Sequence, residues 1–209
     1  MPPTIISPDA RELSVSLFER MVGKCKKILL DTQYRMHPLI NEFPSRTFYE
    51  GKLKSDPKNA QKRCPSPYPK NVVFLEACGP EERHHTSYHN PTEAAAVKNL
   101  VTQYIEHGVK PENIGIISPY AEQVRRLRRL VSVEVNTIDG FQGREKDLII
   151  ISLVRSLQMG FLRDFRRLNV ALTRAIRELV IVANPFVGTD ETYKEVMDFV
   201  AENGGYRKL

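Results

Sequence analysis

Apolar residues in this chain fall in short unbroken runs, separated by stretches with helical spacing, and that alternation predicts the order of elements. Lys27-Ile28-Leu29-Leu30, Asn71-Val72-Val73-Phe74-Leu75-Glu76, Ile114-Gly115-Ile116-Ile117, Val133-Glu134-Val135, the run from Leu148 to Val154 broken only by Ser152, and Leu179-Val180-Ile181-Val182 each read as a strand. Runs without polar alternation belong to strands covered on both faces, so a mostly parallel sheet with helices on either side is expected. A helix is predicted from Pro38 to Tyr49, where Gly51 can end it. A second opens at Asn90-Pro91-Thr92-Glu93, which supplies an N-cap, a first-turn proline and an early acid. A third follows the Ile114 strand and runs through Leu130 with Val124, Leu127 and Leu130 turned inward; an arginine-rich helix and a last helix complete the order. The stretch 52–70, rich in Pro, Lys and Ser, and the stretch 84–90 read as surface loops. Such sheets carry function at the carboxyl ends of their strands, and the three motifs discussed below are expected just beyond those ends.

Length and composition narrow the class. The 209 residues fit one domain with a terminal extension, or a domain and a small subdomain. With 41% hydrophobic and 27% charged residues, wholesale disorder and fibrous repeats are excluded. A net charge of +6 is compatible with a polyanionic partner without requiring one. Cys25, Cys64 and Cys78 make no even framework and no CxxC pair, which favours a reducing, intracellular compartment. The start, Met1 to Ser7, lacks the charged and apolar regions of a signal sequence, and no apolar run is long enough to span a bilayer, so no membrane role is expected.

Three stretches carry candidate chemistry: Gln33-Tyr34-Arg35-Met36-His37-Pro38; Asp139-Gly140-Phe141-Gln142-Gly143-Arg144-Glu145-Lys146-Asp147; and Arg166-Arg167-Leu168-Asn169-Val170-Ala171-Leu172-Thr173-Arg174-Ala175. Arg35, on a tight segment bounded by Pro38, could fork onto a phosphate, and Tyr34 could stack on a base; as an isolated pair they read sooner as packing and a surface ion pair. Gly140 and Gly143 permit close backbone approach, while Gln142 and Glu145 offer an amide and a carboxylate. Arg167, Val170 and Arg174 fall on one helical face, with Arg167 and Arg174 roughly 10 Å apart along it; a solvated basic face is the bland alternative. Ser118-Pro119-Tyr120 with Gln123 follows a strand and could equally be a helix cap, and the Arg125-Arg126-Leu127-Arg128-Arg129 run reads as an exposed face. His84, His85, His89, Cys64 and Cys78 lack finger spacing, so no metal site is predicted. Asp31 after an apolar run imitates a magnesium carboxylate but is read as structural.

In this order the three stretches resemble the late motifs of superfamily 1 helicases of the nonsense-decay and senataxin type. The resemblance implies a three-layer RecA-like P-loop NTPase fold that lacks its own Walker A loop, since no GxxxxGK[ST] occurs. Segments Pro2-Pro3-Thr4 and Ser16-Leu17-Phe18-Glu19-Arg20 resemble the sequence after the family's third motif, so 1–25 is expected to connect from a first motor domain and 26–209 to form the second. By the same resemblance, Arg35 and Arg174 are arginine fingers for ATP bound mainly, with Mg2+, by the first domain. Tyr34 lies near the adenine, Glu145 near the ribose, Gln142 and Gly143 in the element that couples nucleotide to strand, and Arg167 in a supporting place. Ser118, Pro119, Tyr120 and Thr137 lie along a single-stranded RNA or DNA path, and direction by kinship is 5′ to 3′. The expectation is therefore the C-terminal half of an ATP-dependent helicase, inactive in isolation and partnered by the first RecA-like domain of its own full-length protein. The alternative is a non-catalytic nucleic-acid-binding or scaffold module with the same fold.

Overall fold

The computed structural model describes residues 17–26, 28–163 and 165–208. In chain order the elements are α1 Leu17–Met21, β1 Thr32–Gln33, α2 Pro38–Tyr49, β2 Lys54–Ser55, β3 Val72–Glu76, β4 Glu82–His84, β5 Ser87–His89, α3 Pro91–Glu106, β6 Ile114–Ser118, α4 Ala121–Leu130, β7 Glu134–Thr137, β8 Lys146–Ser152, α5 Phe165–Leu172, β9 Ala175–Ala183, α6 Glu191–Glu202 and β10 Tyr206–Lys208. The chain divides into two units, Met1–Asp31 and Thr32–Leu209. No helix among the described residues is long and apolar enough to cross a membrane.

In the second unit six strands form one parallel sheet in the order β10-β3-β9-β8-β6-β7. The uninterrupted aliphatic runs explain why it is covered twice, because successive side chains on a strand point to opposite faces. Ile149 and Ile151 of β8, Leu179 and Ile181 of β9 and Val72 and Phe74 of β3 join one core cluster, built with Ile40 of α2, Leu168 of α5 and Phe199 of α6. Their neighbours Leu148, Ile150, Val180, Val182, Val73 and Leu75 join the other, with Val97 of α3 and Leu127 of α4. A residue with a Cβ at position 115 of β6 would put that atom 2.5 Å from the ring of Phe141, so Gly115 is what lets the following turn lie down on the sheet.

The helix termini follow their sequence signals. Asn90 caps α3 by accepting from the Glu93 N–H at 3.1 Å. Beyond α2, Glu50 (φ 55°) and Gly51 (φ 73°) take the left-handed conformation that stops a helix.

Several expectations are corrected. Ile28, Leu29 and Leu30 form no strand and are 77%, 49% and 83% exposed, while the adjoining Lys27 lies outside the described residues. An apolar run of three cannot choose a partner by burial alone, and the sheet edge beside β3 is taken by β10, which the sequence did not announce. The supposed loop at 84–90 is mostly an antiparallel hairpin, β4–β5, reversed where His85 adopts φ 53°. The supposed loop at 52–70 contributes β2, parallel to β1, and a 3-10 turn over Pro57–Gln61. Helix α5 ends at Leu172, so Arg174 lies in the turn beyond it and not on a shared helical face with Arg167. Leu130 of α4 is 42% exposed, whereas Val124 and Leu127 are buried as expected. The resemblance drawn on Pro2-Pro3-Thr4 and Ser16 lies outside the described residues.

Candidate functional site

Gln33 shapes the site. Its Oε1 accepts from the backbone N–H groups of Arg35 (2.9 Å) and Met36 (2.7 Å), while Nε2 donates to the Met36 carbonyl (2.9 Å) and to Ser55 Oγ (2.6 Å). Met36 drops into the core below, and the His37 N–H donates to the Ile176 carbonyl at 2.9 Å, which fastens the turn to the beginning of β9. Tyr34 is left projecting, 68% exposed, with Arg35 beside it.

Arg35 and Arg174 meet. They line one open cleft of about 510 Å³, together with Gln33, Tyr34, Tyr49, Glu145 and Thr173. Thr173 holds both guanidinium groups: its carbonyl accepts from Arg35 Nη1 at 3.1 Å and its hydroxyl from Arg174 Nη2 at 3.0 Å. Arg174 Nε donates to the Val170 carbonyl at 2.9 Å and Nη1 to the Arg144 carbonyl at 3.4 Å. Arg35 Nε pairs with the Glu145 carboxylate. Burial, and next the neighbouring Arg35 charge, press Arg174 below the ordinary arginine value, with Glu145 offsetting part of the effect. Two cations set against one carboxylate leave the cleft short of negative charge, an arrangement suited to a multiply charged oxyanion.

The cleft lies at the amino rim of the sheet. Glu145 immediately precedes β8 and Arg174 immediately precedes β9. The carboxyl-end rule applied to the sequence therefore misplaced this site. The second and third motifs do come after β7 and β8, but the chain crosses back over the sheet before Glu145 and Arg174 are delivered; the first motif reaches the same rim through the bond of His37 to the start of β9.

The remaining candidates spread out. Gln142 and Gly143 do not line the cleft; Gly143 adopts φ 81° in the turn that leads to Glu145. Arg167 is no solvated charge: it is 5% exposed, with Nε 3.8 Å from Asp139 Oδ1, and it braces the 139–141 turn. Ser118 and Thr137 are register partners at the carboxyl ends of β6 and β7. Ser118 is wholly buried, and Tyr120 is 8% exposed, with its hydroxyl accepting from Arg155 Nη1 at 3.3 Å. Thr137 Oγ1 accepts from the Gly140 N–H at 3.2 Å, and Pro119 is half-buried. As placed, Pro119 and Thr137 offer surface at this corner, whereas Ser118 offers none.

Sequence reasoning gave no role to Gln33, Thr173, Tyr49 or Lys62. The first and second sit inside quoted motifs; the others carry no local signal. It also passed over a buried polar network at the carboxyl rim. There Glu93 Oε2 accepts from Ser152 Oγ (2.7 Å) and the Val154 N–H (2.9 Å), and Gln123 Nε2 donates to Ser152 Oγ (2.9 Å). Glu81 takes Arg155 in a two-pronged pair, with Nε at 3.1 Å and Nη2 at 3.0 Å. The capping residues Asn90 and Glu93, and Gln123 after the Ile114 strand, were the visible traces of that network. Among the described residues, no group of three or more His, Cys, Asp or Glu is placed to hold a metal ion.

The family described as AAA_12, an AAA domain, matches residues 13–185. The chain is 38% identical over 94% of its length to an uncharacterized ATP-dependent helicase of Methanocaldococcus jannaschii, and covers 33% of that protein. It is 44% identical over 84% of its length to the regulator of nonsense transcripts 1 homolog of Drosophila melanogaster, covering 17% of it. It is 41% identical over 88% of its length to the ATP-dependent helicase NAM7 of Saccharomyces cerevisiae, covering 22% of it. The chain thus spans a third or less of each of these relatives. Among solved structures, the C-terminal domain of a possible DNA helicase from Lactobacillus plantarum aligns with 84% of this chain and 98% of its own at 16% identity, with a TM-score of 0.47.

Proposed function

The chain belongs to the AAA_12 family, as the C-terminal RecA-like domain of a superfamily 1 helicase of the regulator-of-nonsense-transcripts type, and from that premise we propose that its amino-rim cleft completes an ATP-hydrolysing site shared with a first motor domain. The observation that carries this reading is the meeting of Arg35 and Arg174, remote in sequence, in one cleft with Thr173 between them. In the full-length protein the first domain would hold ATP and its magnesium, which would supply the phosphoryl group and positive charge beside it.

This chain's contribution is cationic. Arg35 and Arg174 direct N–H donors at the terminal phosphate and neutralise charge developing there, and their fixed carbonyl and hydroxyl partners limit the reorganisation needed. Glu145, paired with Arg35 in the cleft, is released toward the ribose as phosphate takes over its partner. Tyr34, held outward, provides a face for the adenine ring. Gln142 and Gly143 shape the turn that carries Glu145, and Arg167 holds that turn to α5. At the other rim, Pro119 and Thr137 border a single-stranded nucleic-acid path, with Ser118 and Tyr120 as its scaffold.

The test is Arg174→Ala in the full-length protein. Nucleic-acid-stimulated ATP turnover should fall roughly 10³-fold, with ADP affinity nearly unchanged. Turnover close to that of the parent protein would remove Arg174 from the mechanism.

A further inference from the structure

The segment that follows α2 wraps the turn bearing Tyr34 and Arg35 from outside. Most of its contacts fix Gln33: β2 pairs with β1, the Asp56 N–H donates to the Gln33 carbonyl at 3.0 Å, and buried Asn59 donates to the same carbonyl from Nδ2 at 3.3 Å. Lys62 reaches further. Its ammonium donates at 2.7 Å to the carbonyl of Tyr34 and at 2.7 Å to the carbonyl of Arg35.

We propose that Lys62 is a positioning residue for the arginine finger Arg35, acting through the two peptide groups that flank that residue. The proposal rests on the assignment of Arg35 to phosphate given above. In extended backbone successive carbonyls point to opposite sides; here two neighbours point to one ammonium, so their dipoles lie side by side and repel. A lysine head answers this with a full positive charge and up to three N–H donors. Rotation of the Tyr34–Arg35 or Arg35–Met36 peptide is thereby resisted. The guanidinium, at the end of a long side chain, would amplify such a rotation into a displacement at the phosphate. The segment's other contacts with this turn go to Gln33 and, through Arg63, to the His37 ring, and among the described residues only Lys62 bonds the carbonyls of Tyr34 and Arg35 from this side. Lys62 does not line the cleft, so it is not assigned contact with the nucleotide.

The experiment compares Lys62→Met, Lys62→Arg, Arg35→Ala and Arg174→Ala in the full-length protein, by steady-state ATP hydrolysis with single-stranded oligonucleotide. Misplacement of a group by about 1 Å can cost up to about 10²-fold, so kcat of Lys62→Met should fall by about 10-fold or more. The ATP KM should stay within about threefold of the parent, because an interaction strengthened in the transition state is the one disturbed. Lys62→Arg, which keeps the charge and can fork to both carbonyls, should recover most of the loss, a rescue that general destabilisation would not show. Retained turnover in Arg35→Ala and Arg174→Ala would sink the arginine-finger reading itself. Loss in those two with kcat intact in Lys62→Met, or with Lys62→Arg no better than Lys62→Met, would overturn the positioning role alone. Should Lys62→Met not fold, Lys62→Gln is read by the same kcat and KM split, with an unchanged kcat counting against the proposal.

Discussion

The two rims of one sheet treat charge in opposite ways. At the amino rim Arg35, Arg174 and Glu145 are only partly covered, like charges face each other, and one carboxylate is left to balance two guanidinium groups. At the carboxyl rim the Arg155 and Glu81 charges are spent on each other inside the protein. Arg155, 4% exposed, lies 4.1 Å above the Tyr88 ring and grips Glu81, whose carboxylate also accepts from the Ser156 N–H at 2.6 Å and the Leu157 N–H at 3.1 Å. Glu93 is fully buried and tied to Ser152 and Val154, and Val154 itself holds φ 75°, an unusual conformation for a β-branched residue. The arginine run of α4 is an exposed face, as expected, yet it too is engaged within the protein: Arg125 and Arg126 both bind Glu122, and Arg128 donates to the Val135 carbonyl at 3.0 Å. A buried polar network bonded mostly within the fold is architecture, whereas a rim left short of one charge sign is suited to a ligand.

This contrast predicts where substitutions divide into activity and stability effects. The largest effect on turnover is that of Arg174→Ala described above, and the contrast requires it to leave folding nearly intact, since among the described residues that guanidinium is bound by the Val170 and Arg144 carbonyls and the Thr173 hydroxyl. A loss of several kcal/mol in denaturant unfolding would break the comparison at once. Arg155→Ala should do the reverse. It strands the Glu81 carboxylate beside two backbone N–H groups with no cation, and breaking such a buried pair costs ~3–5 kcal/mol; an unfolding midpoint within error of the parent would show that the network is not structural.

The two tyrosines sharpen the point at smaller scale. Tyr120→Ala removes a buried ring packed edge-on against Tyr88 at 5.7 Å, and should cost ~2–4 kcal/mol in unfolding free energy. Tyr34→Ala, at a mostly exposed ring, should cost under ~0.5 kcal/mol while raising the ATP KM of the full-length protein. Equal unfolding costs for the two would contradict the division.

The subtlest test is pH. Burial raises the Glu93 carboxyl to about 8 and, against its hydrogen bonds to Tyr104 and Ser66, raises Glu178 to about 7. A carboxyl raised in the folded state supports folding while protonated. That support is complete below the ordinary value of 4.5 and drains away as pH climbs toward about 8. Unfolding free energy should therefore decline between pH 5 and pH 8, and Glu93→Gln, which needs no ionisation, should flatten part of the decline. A parallel pH profile for the two proteins would remove Glu93 as its source.

Much of the framework was legible from the chain itself, because runs such as Leu148 to Ile151 leave no choice but a strand buried on both faces, and because Asn90, Pro91 and Glu93 mark a helix start whatever surrounds it. The chemistry-bearing residues were visible too, as motifs, although their motif membership said nothing of which rim they reach. Legibility stopped where a segment's structure depends on a distant partner. Tyr206–Lys208 has no strand signal until β3 offers it an edge, and Ile28–Leu30 has one without finding a partner. Lys62 is one lysine among several in a polar stretch until folding brings it to two carbonyls on another element.

Local sequence determined which segments become strands and helices, because side-chain periodicity and caps act over a few residues. Tertiary structure alone decided that residues 35 and 174 share a cleft, that it opens at the amino rim, and that the opposite rim closes on its own charges. Those outcomes depend on distances between groups far apart in the chain, and electrostatic and hydrogen-bonding energies are settled by distance in space.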